Sequence, residues 1–276
     1  MRGLLVQLSD THIRRPGQLA YRRVDTSGFL AQAVASLLAL PQPANAVVVT
    51  GDLTDFGRPD EYAQLRALLA PISCPIYLMP GNHDDRAELR RAFVGREYLF
   101  QSDETCVQYA VDLGGLRLVA IDTTVARAPH GELDSDRLEW LAATLDKDRT
   151  TSTIVAMHHP PFATFIGHMD NISLQRGGRE LAGIIGRHRQ VERIVCGHLH
   201  RSIQARFAGT LAQTAPSTAH AVSLDLATDA ASEFMMEPPG FLVHAWSATG
   251  QVTSHVAFTG SFDGPFPFHD QAGLID

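Results

Sequence analysis

Asp10 and His12 stand one residue apart. At the end of an extended strand that spacing turns a carboxylate and an imidazole to the same side, so the two could grip one cation. Taken alone such a pair is usually no more than surface polarity. Four further clusters follow it in order: Gly51-Asp52, Gly81-Asn82-His83-Asp84, His158-His159 and Gly197-His198-Leu199-His200. The chain has 13 histidines, several paired or spaced by one residue, which directs the search toward metal ligation. Mixed carboxylate, amide-oxygen and imidazole donors suit borderline ions such as zinc, iron or manganese. Three scattered cysteines, Cys74, Cys106 and Cys196, show no CxxC spacing and suggest neither a disulfide framework nor a thiolate zinc site.

Each cluster terminates a short apolar run: residues 4–8, 46–49, 76–79, 153–157 and 193–196. Such runs read as buried strands. Helical patterns lie between them at residues 28–40, 60–69, 86–93, 134–145 and 179–187, with Asp60 and Asp134 where N-caps are expected. This alternation predicts βαβ units, in which the polar clusters collect on one rim beyond the carboxyl ends of the strands. Residues 105–111 and 116–122 flank Gly114-Gly115 and read as a hairpin. After His200 the pattern becomes strands without long helices, at 203–207, 211–215, 241–245 and 251–257, which reads as a second sheet of a layered sandwich. Residues 217–240 read as an inserted loop or cap within a single 1–276 domain.

The ordered set from residue 9 to residue 200 resembles the signature of the calcineurin-like metallophosphoesterases: DxH, GDxxD, GNHD, HH and GHxH. It is most similar to the bacterial branch holding class III cyclic-nucleotide phosphodiesterases and glycerophosphodiesterases. The resemblance implies an α/β fold, a layered αββα sandwich of two mixed β-sheets flanked by helices, with a small cap or dimerisation element at about 217–240. It implies one ion held by Asp10, His12, Asp52 and His200 and a second held by Asp52, Asn82, His158 and His198, so that Asp52 bridges two divalent transition-metal ions (Fe, Mn or Zn). The implied activity is hydrolysis of small phosphodiesters, 3′,5′-cyclic nucleotides and/or glycerophosphodiesters, by attack of a metal-bound hydroxide.

His83 follows Asn82 directly, so in an extended segment the two side chains would diverge. The resemblance implies that His83 acts as a catalytic group beside the metals, donating to a phosphoryl oxygen or protonating the leaving alkoxide. The plainer alternative is a histidine that holds the loop. Asp55 matches a carboxylate that in some relatives orients this histidine. His159 reads as a structural residue anchored beside Pro160-Pro161. His220 matches a histidine that approaches substrate in glycerophosphodiesterase-like relatives. Arg14, Arg15, Arg22 and Arg23 surround Tyr21 after His12. Tyr21 and Arg22 could meet a phosphate or a base, although charge runs usually face water, so a solvated loop is the simpler reading. Met235 and Met236 could line a pocket or an oligomer interface.

A formal charge of −7 and a pI near 6.0 disfavour a nucleic-acid polymer or an acidic membrane as partner. No apolar segment reaches spanning length, and the reading expected is a cytoplasmic homodimer or higher homo-oligomer. A phosphomonoesterase or protein phosphatase could use the same metals. A silent binding scaffold would have no need for every ligand.

Overall fold

The computed structural model describes residues 1–271 and 273–275. The apolar runs become β1 (Gly3–Leu8), β2 (Ala46–Thr50), β3 (Ile76–Met79), β4 (Tyr109–Asp112), β5 (Arg117–Ala120), β6 (Gly131–Glu132), β7 (Thr153–Ala156), β8 (Leu174–Arg176) and β9 (Val191–Cys196). They are followed by β10 (Gln204–Phe207), β11 (Thr210–Thr214), β12 (Ala221–Val222), β13 (Phe234–Met235), β14 (Gly240–Trp246), β15 (Val252–Phe258), β16 (His269–Asp270) and β17 (Gly273–Leu274). The helices are α1 (Thr26–Leu38), α2 (Pro59–Leu69), α3 (Arg86–Ala92), α4 (Ser135–Asp146), α5 (Gly167–Asp170) and α6 (Gly178–Arg187).

Local chemistry sets the helix ends. The Asp25 carboxylate accepts the Gly28 amide at 3.0 Å to open α1, and Asp134 accepts that of Arg137 at 3.0 Å to open α4. Asp60 is not a cap. Pro59 already occupies the first turn of α2, where a missing N–H costs nothing, and the Glu61 carboxylate reaches back to the amides of Phe56 (2.9 Å) and Arg58 (3.3 Å). Leu30, Ala33, Val34 and Leu37 give α1 one buried stripe.

Two mixed sheets face each other, one ordered β15-β14-β1-β2-β3 and the other β10-β11-β9-β7-β5-β4. The period of two along the strands explains the layers. Leu118, Ala120, Ile154, Ala156 and Val195 join the core shared with the first sheet and its helices α1 and α2. Their neighbours Val119, Val155, Ile194 and Cys196 turn the other way and pack under α4 and α6. The architecture is therefore the expected αββα sandwich, and β4 and β5 form the expected hairpin.

The four strands expected after His200 do not form a sheet of their own. β10 and β11 extend the second sheet from β9, while β14 and β15 return to the first, with β14 pairing β1 antiparallel. Alternating apolar residues report a half-buried strand but not its partner, and β14 is buried almost throughout because it is an interior strand. Residues 217–240 carry the short hairpin β12–β13, with Leu224, Leu226, Met235 and Met236 exposed. No helix among the described residues is long and apolar enough to cross a membrane.

Candidate metal centre

β1, β2, β3, β7 and β9 deliver their following loops to one rim, and the five polar clusters meet there. Asp10, His12, Asp52 and His200 offer ligand atoms within 4.8 Å of one another, all buried. Asp52 Oδ2 lies 3.5 Å from His12 Nε2 on one side and 3.4 Å from His158 Nε2 on the other. Asn82 Oδ1 in turn lies 3.1 Å from both His158 Nε2 and His198 Nδ1. All seven residues expected to bind metal thus converge as two groups that share Asp52.

The convergence is not achieved by extended backbone, as the spacing of Asp10 and His12 had suggested. Asp10 (φ 51°), His12 (φ 43°), Asp52 (φ 47°), His198 (φ 72°) and His200 (φ 53°) all occupy the left-handed region. For a residue with a Cβ that conformation costs about 1–2 kcal/mol. It persists only where the surroundings over-determine it, and such residues cluster at functional sites. Here the surroundings are specific. Asp10 N–H donates to Gly51 O at 3.1 Å and His12 N–H to Asp52 O at 2.9 Å, while the Asp10 carboxylate accepts the His198 amide at 2.9 Å. Asn82 and His83 lie in a turn closed by Asp84 N–H to Gly81 O. Their divergence comes from this turn and not from extended chain. Gly81 admits the close approach, since a Cβ there would stand 2.2 Å from Asp52 Oδ1 and 2.8 Å from His158 Cε1.

The hydrogen bonds also orient the rings. His158 Nδ1 donates to Thr50 O (2.8 Å), His200 Nδ1 to His220 O (3.2 Å) and His12 Nδ1 to the Asp55 carboxylate (3.3 Å). With these protons assigned and both rings neutral, the Nε2 lone pairs of His12 and His200 would face each other at 3.1 Å. Two lone pairs at that separation repel unless a positive charge lies against them. Although burial opposes it, Asp55 and Asp52 raise His12 toward the protonated form that would relieve them. Asp10 Oδ2 is buried without a hydrogen-bond partner, a cost that a cation would relieve. The titration directions carry the same sense. Burial, with the Asp52 charge beside it, lifts Asp10 to about 6 against the pull of His158. For His158, burial disfavours the cation, yet Asp52 outweighs it and raises the group to about 9. Burial and the neighbouring His158 charge push His198 down to about 3. Oxygen and imidazole donors, packed without thiolate, therefore fit two borderline divalent ions.

The remaining residues take distinct places. His83 Nδ1 donates to the main-chain carbonyl of Asp55 at 2.9 Å, whereas the Asp55 carboxylate lies 3.8 Å from it and serves His12 and Arg14. His159 uses both ring nitrogens structurally, accepting from Thr123 Oγ1 (2.8 Å) and donating to Pro129 O (3.1 Å). Tyr21 and His220 meet edge to face at 5.2 Å and, with Phe234, wall a cavity that opens on the centre. Arg22 is exposed, holds a left-handed φ of 58° and does not line that cavity.

Arg14 departs from the solvated-loop reading. Its guanidinium binds Asp55 Oδ2 (3.1 Å), lies 3.5 Å from Glu61 Oε1 and covers the Phe56 ring. Asp84 had been noted only as part of a cluster. Its carboxylate accepts from Leu53 N–H, Thr54 N–H, Tyr62 OH and Gly81 N–H, which ties the Asp52 loop to the Asn82 turn.

The family model for calcineurin-like phosphoesterases matches residues 4–202. The chain belongs to this family. It is 35% identical to "Probable glycerophosphodiester phosphodiesterase GpdQ" of Arcobacter nitrofigilis over 99% of this chain and 100% of that one. It is 32% identical to the "cAMP/cGMP dual specificity phosphodiesterase MT0825" of Mycobacterium tuberculosis over 81% of this chain and 70% of that one. Among solved structures, a dimetal phosphatase from Danio rerio superposes with a TM-score of 0.63 at 14% identity, covering 92% of this chain and 98% of that one. This last likeness is one of fold. Calcineurin-like phosphoesterases are hydrolases, so the paired donor groups belong to a hydrolytic enzyme.

Proposed function

We propose that the protein is a dinuclear metal-dependent phosphodiesterase acting on small diesters, with glycerophosphodiesters and 3′,5′-cyclic nucleotides as the candidate substrates. The observation that carries this reading is the pair of donor groups joined at Asp52 on the wall of an open cavity. The named activities of the bacterial relatives support the diester class. In this reading Asp10, His12, Asp52 and His200 hold one ion and Asp52, Asn82, His158 and His198 the other. When bound, two divalent ions supply an activated water and a positive field for phosphoryl oxygens.

The chain's own groups do the rest. His83 borders the cavity with its side chain partly exposed, and the Asp55 carbonyl fixes one ring nitrogen, so the other can hold a proton toward a leaving oxygen. Asp55, held by Arg14, fixes the tautomer and tilt of His12. Tyr21 and His220 border one arm of the substrate, and Arg22 lies at the outer edge of that loop. A monoanionic diester needs fewer cationic clamps than a dianionic monoester, and no arginine lies within any of the five clusters. We further place the enzyme in the cytoplasm as a homo-oligomer. The free cysteines and the exposed apolar side chains of the 217–240 segment favour this.

The test is a side-by-side kcat/KM comparison of a diester and a monoester with the same leaving group at matched metal loading. The diester should be preferred. A clear monoester preference would overturn the reading and leave the donor groups intact.

A further inference from the structure

Two cavities, not one, open on the centre, and Asn82 and His83 border both. The first, about 430 Å³, combines an apolar and aromatic wall of Tyr21, Phe234, Met169 and Ile172 with polar residues that include His220 and Glu233. The second, about 490 Å³, lies beyond the Asn82 turn and is polar, with Glu104, Thr105, Thr124 and Arg127 on its walls. Its walls are held apart by a rigid tie. Arg86, at the start of α3, binds the buried Asp122 carboxylate and reaches Thr124 O at 2.8 Å, so the loop carrying Arg127 is anchored to the helix that forms the opposite side. Arg127 itself keeps a left-handed φ of 63° and has no hydrogen-bond or ion-pair partner among the described residues. Arg127 is exposed and lines this cavity, so its guanidinium is available to a ligand.

Building on the phosphodiesterase reading, we propose that the second cavity is a subsite for one arm of the substrate and that the preferred substrates are acyclic diesters with two separate alcohol arms. The apolar arm lies against Tyr21 and Phe234, and the polar arm, hydroxylated or charged, lies against Thr105, Glu104 and Arg127. Phosphorus then sits at the shared wall, beside Asn82 and His83. In a 3′,5′-cyclic nucleotide both ester oxygens belong to one ribose, so its base can enter only one cavity and the other contributes nothing to its binding. The preformed walls favour the two-armed class because little ordering is required on binding.

The experiment compares glyceryl p-nitrophenyl phosphate with methyl p-nitrophenyl phosphate, which share a leaving group and differ only in the second arm, and adds 3′,5′-cyclic AMP as a one-sided control. Ala87→Trp and Ala126→Trp place bulk into the second cavity from opposite walls, and metal content is measured for each. Wild type should prefer the glyceryl ester about tenfold in kcat/KM, and either tryptophan should cut that preference below about threefold, with the methyl ester and cyclic AMP held within about twofold. Arg127→Ala should lower the glyceryl preference below about threefold. Retention of the full preference in both tryptophan variants overturns the subsite, as does an equal fall for both esters. Wild-type protein carrying both metals that cleaves neither ester overturns the phosphodiesterase reading itself.

Discussion

Replacing Asp52 tests the shared carboxylate most directly, and the asparagine and alanine variants separate its two duties. Oδ2 lies 3.5 Å from His12 Nε2 and 3.4 Å from His158 Nε2, between the two donor groups, while Oδ1 accepts the His83 amide at 3.0 Å. Asp52→Asn removes the charge and keeps an oxygen for that amide. At about 4 Å and an effective dielectric near 20, each pair of unit charges is worth about 4 kcal/mol, and a divalent ion doubles this. Even if relaxation and water reclaim most of it, about 3 kcal/mol should be lost from each ion, roughly a hundredfold in dissociation constant. Asp52→Ala should add a loss of about 1–3 kcal/mol in metal-free stability, because the His83 amide loses its acceptor. The assay is elemental analysis after equilibrium dialysis against graded metal buffers, with denaturant unfolding of chelated protein. Loss confined to one ion would refute the bridge. Unchanged affinity at both sites would refute the donor assignment altogether.

Other outcomes follow from the same geometry. His83→Gln should leave metal content unchanged and lower kcat about 10²–10³-fold for an alkoxide leaving group, but much less for nitrophenolate, which needs no proton; collapse of metal content would instead make His83 a structural residue. Chelation should abolish activity, and manganese, zinc or iron should restore it with two equivalents bound, with melting temperature rising on reloading, since a ligand at 100 times its Kd adds about 2.7 kcal/mol. His244, between Ser254 and Gln7 in the sheet, is pushed down to about 3 by burial and by Arg193. Between pH 6.5 and 3 the unfolded chain therefore takes up a proton that the folded chain refuses. Metal-free stability should fall on acidification through that window by up to about 1.4 kcal/mol per pH unit from this group, and His244→Gln should flatten the slope by that amount in unfolding titrations. An identical slope in the variant would show that His244 is protonated in the fold.

The strands and the rim were legible because apolar periodicity is local, and so were the clusters, because each lies at a strand end. The αββα layering came from the family resemblance, since by pattern alone the strands after His200 read as one sheet and they divide between two. What was hidden depends on contacts between distant segments. The left-handed backbone at Asp10, His12, Asp52, His198 and His200 leaves only a faint mark in residue type, since none of the five is glycine and Asp and His merely tolerate that region better than most. Arg14 looks like one more cation in a basic loop until Asp55 and Glu61, more than 40 residues on, are seen to hold it. The Asp84 hub is equally silent, as its partners Leu53, Thr54 and Tyr62 come from another loop and another helix. The assignment of β14 to the first sheet and β11 to the second was beyond pattern reading, because side-chain alternation says which face is wet and not which strand lies alongside.

The pairing of β14 with β1 has a consequence for biosynthesis. Every proposed metal-binding residue lies before residue 201, within the stretch that defines the family, yet β1, whose end carries Asp10 and His12, is flanked by β14 as well as β2. During translation β1 must wait for β14 to emerge before its outer edge is covered. A nascent chain ending at residue 202 would hold all seven donors and no settled site, with an open edge available for wrong pairing. Metal loading should therefore be a late event, after β14 has closed on β1.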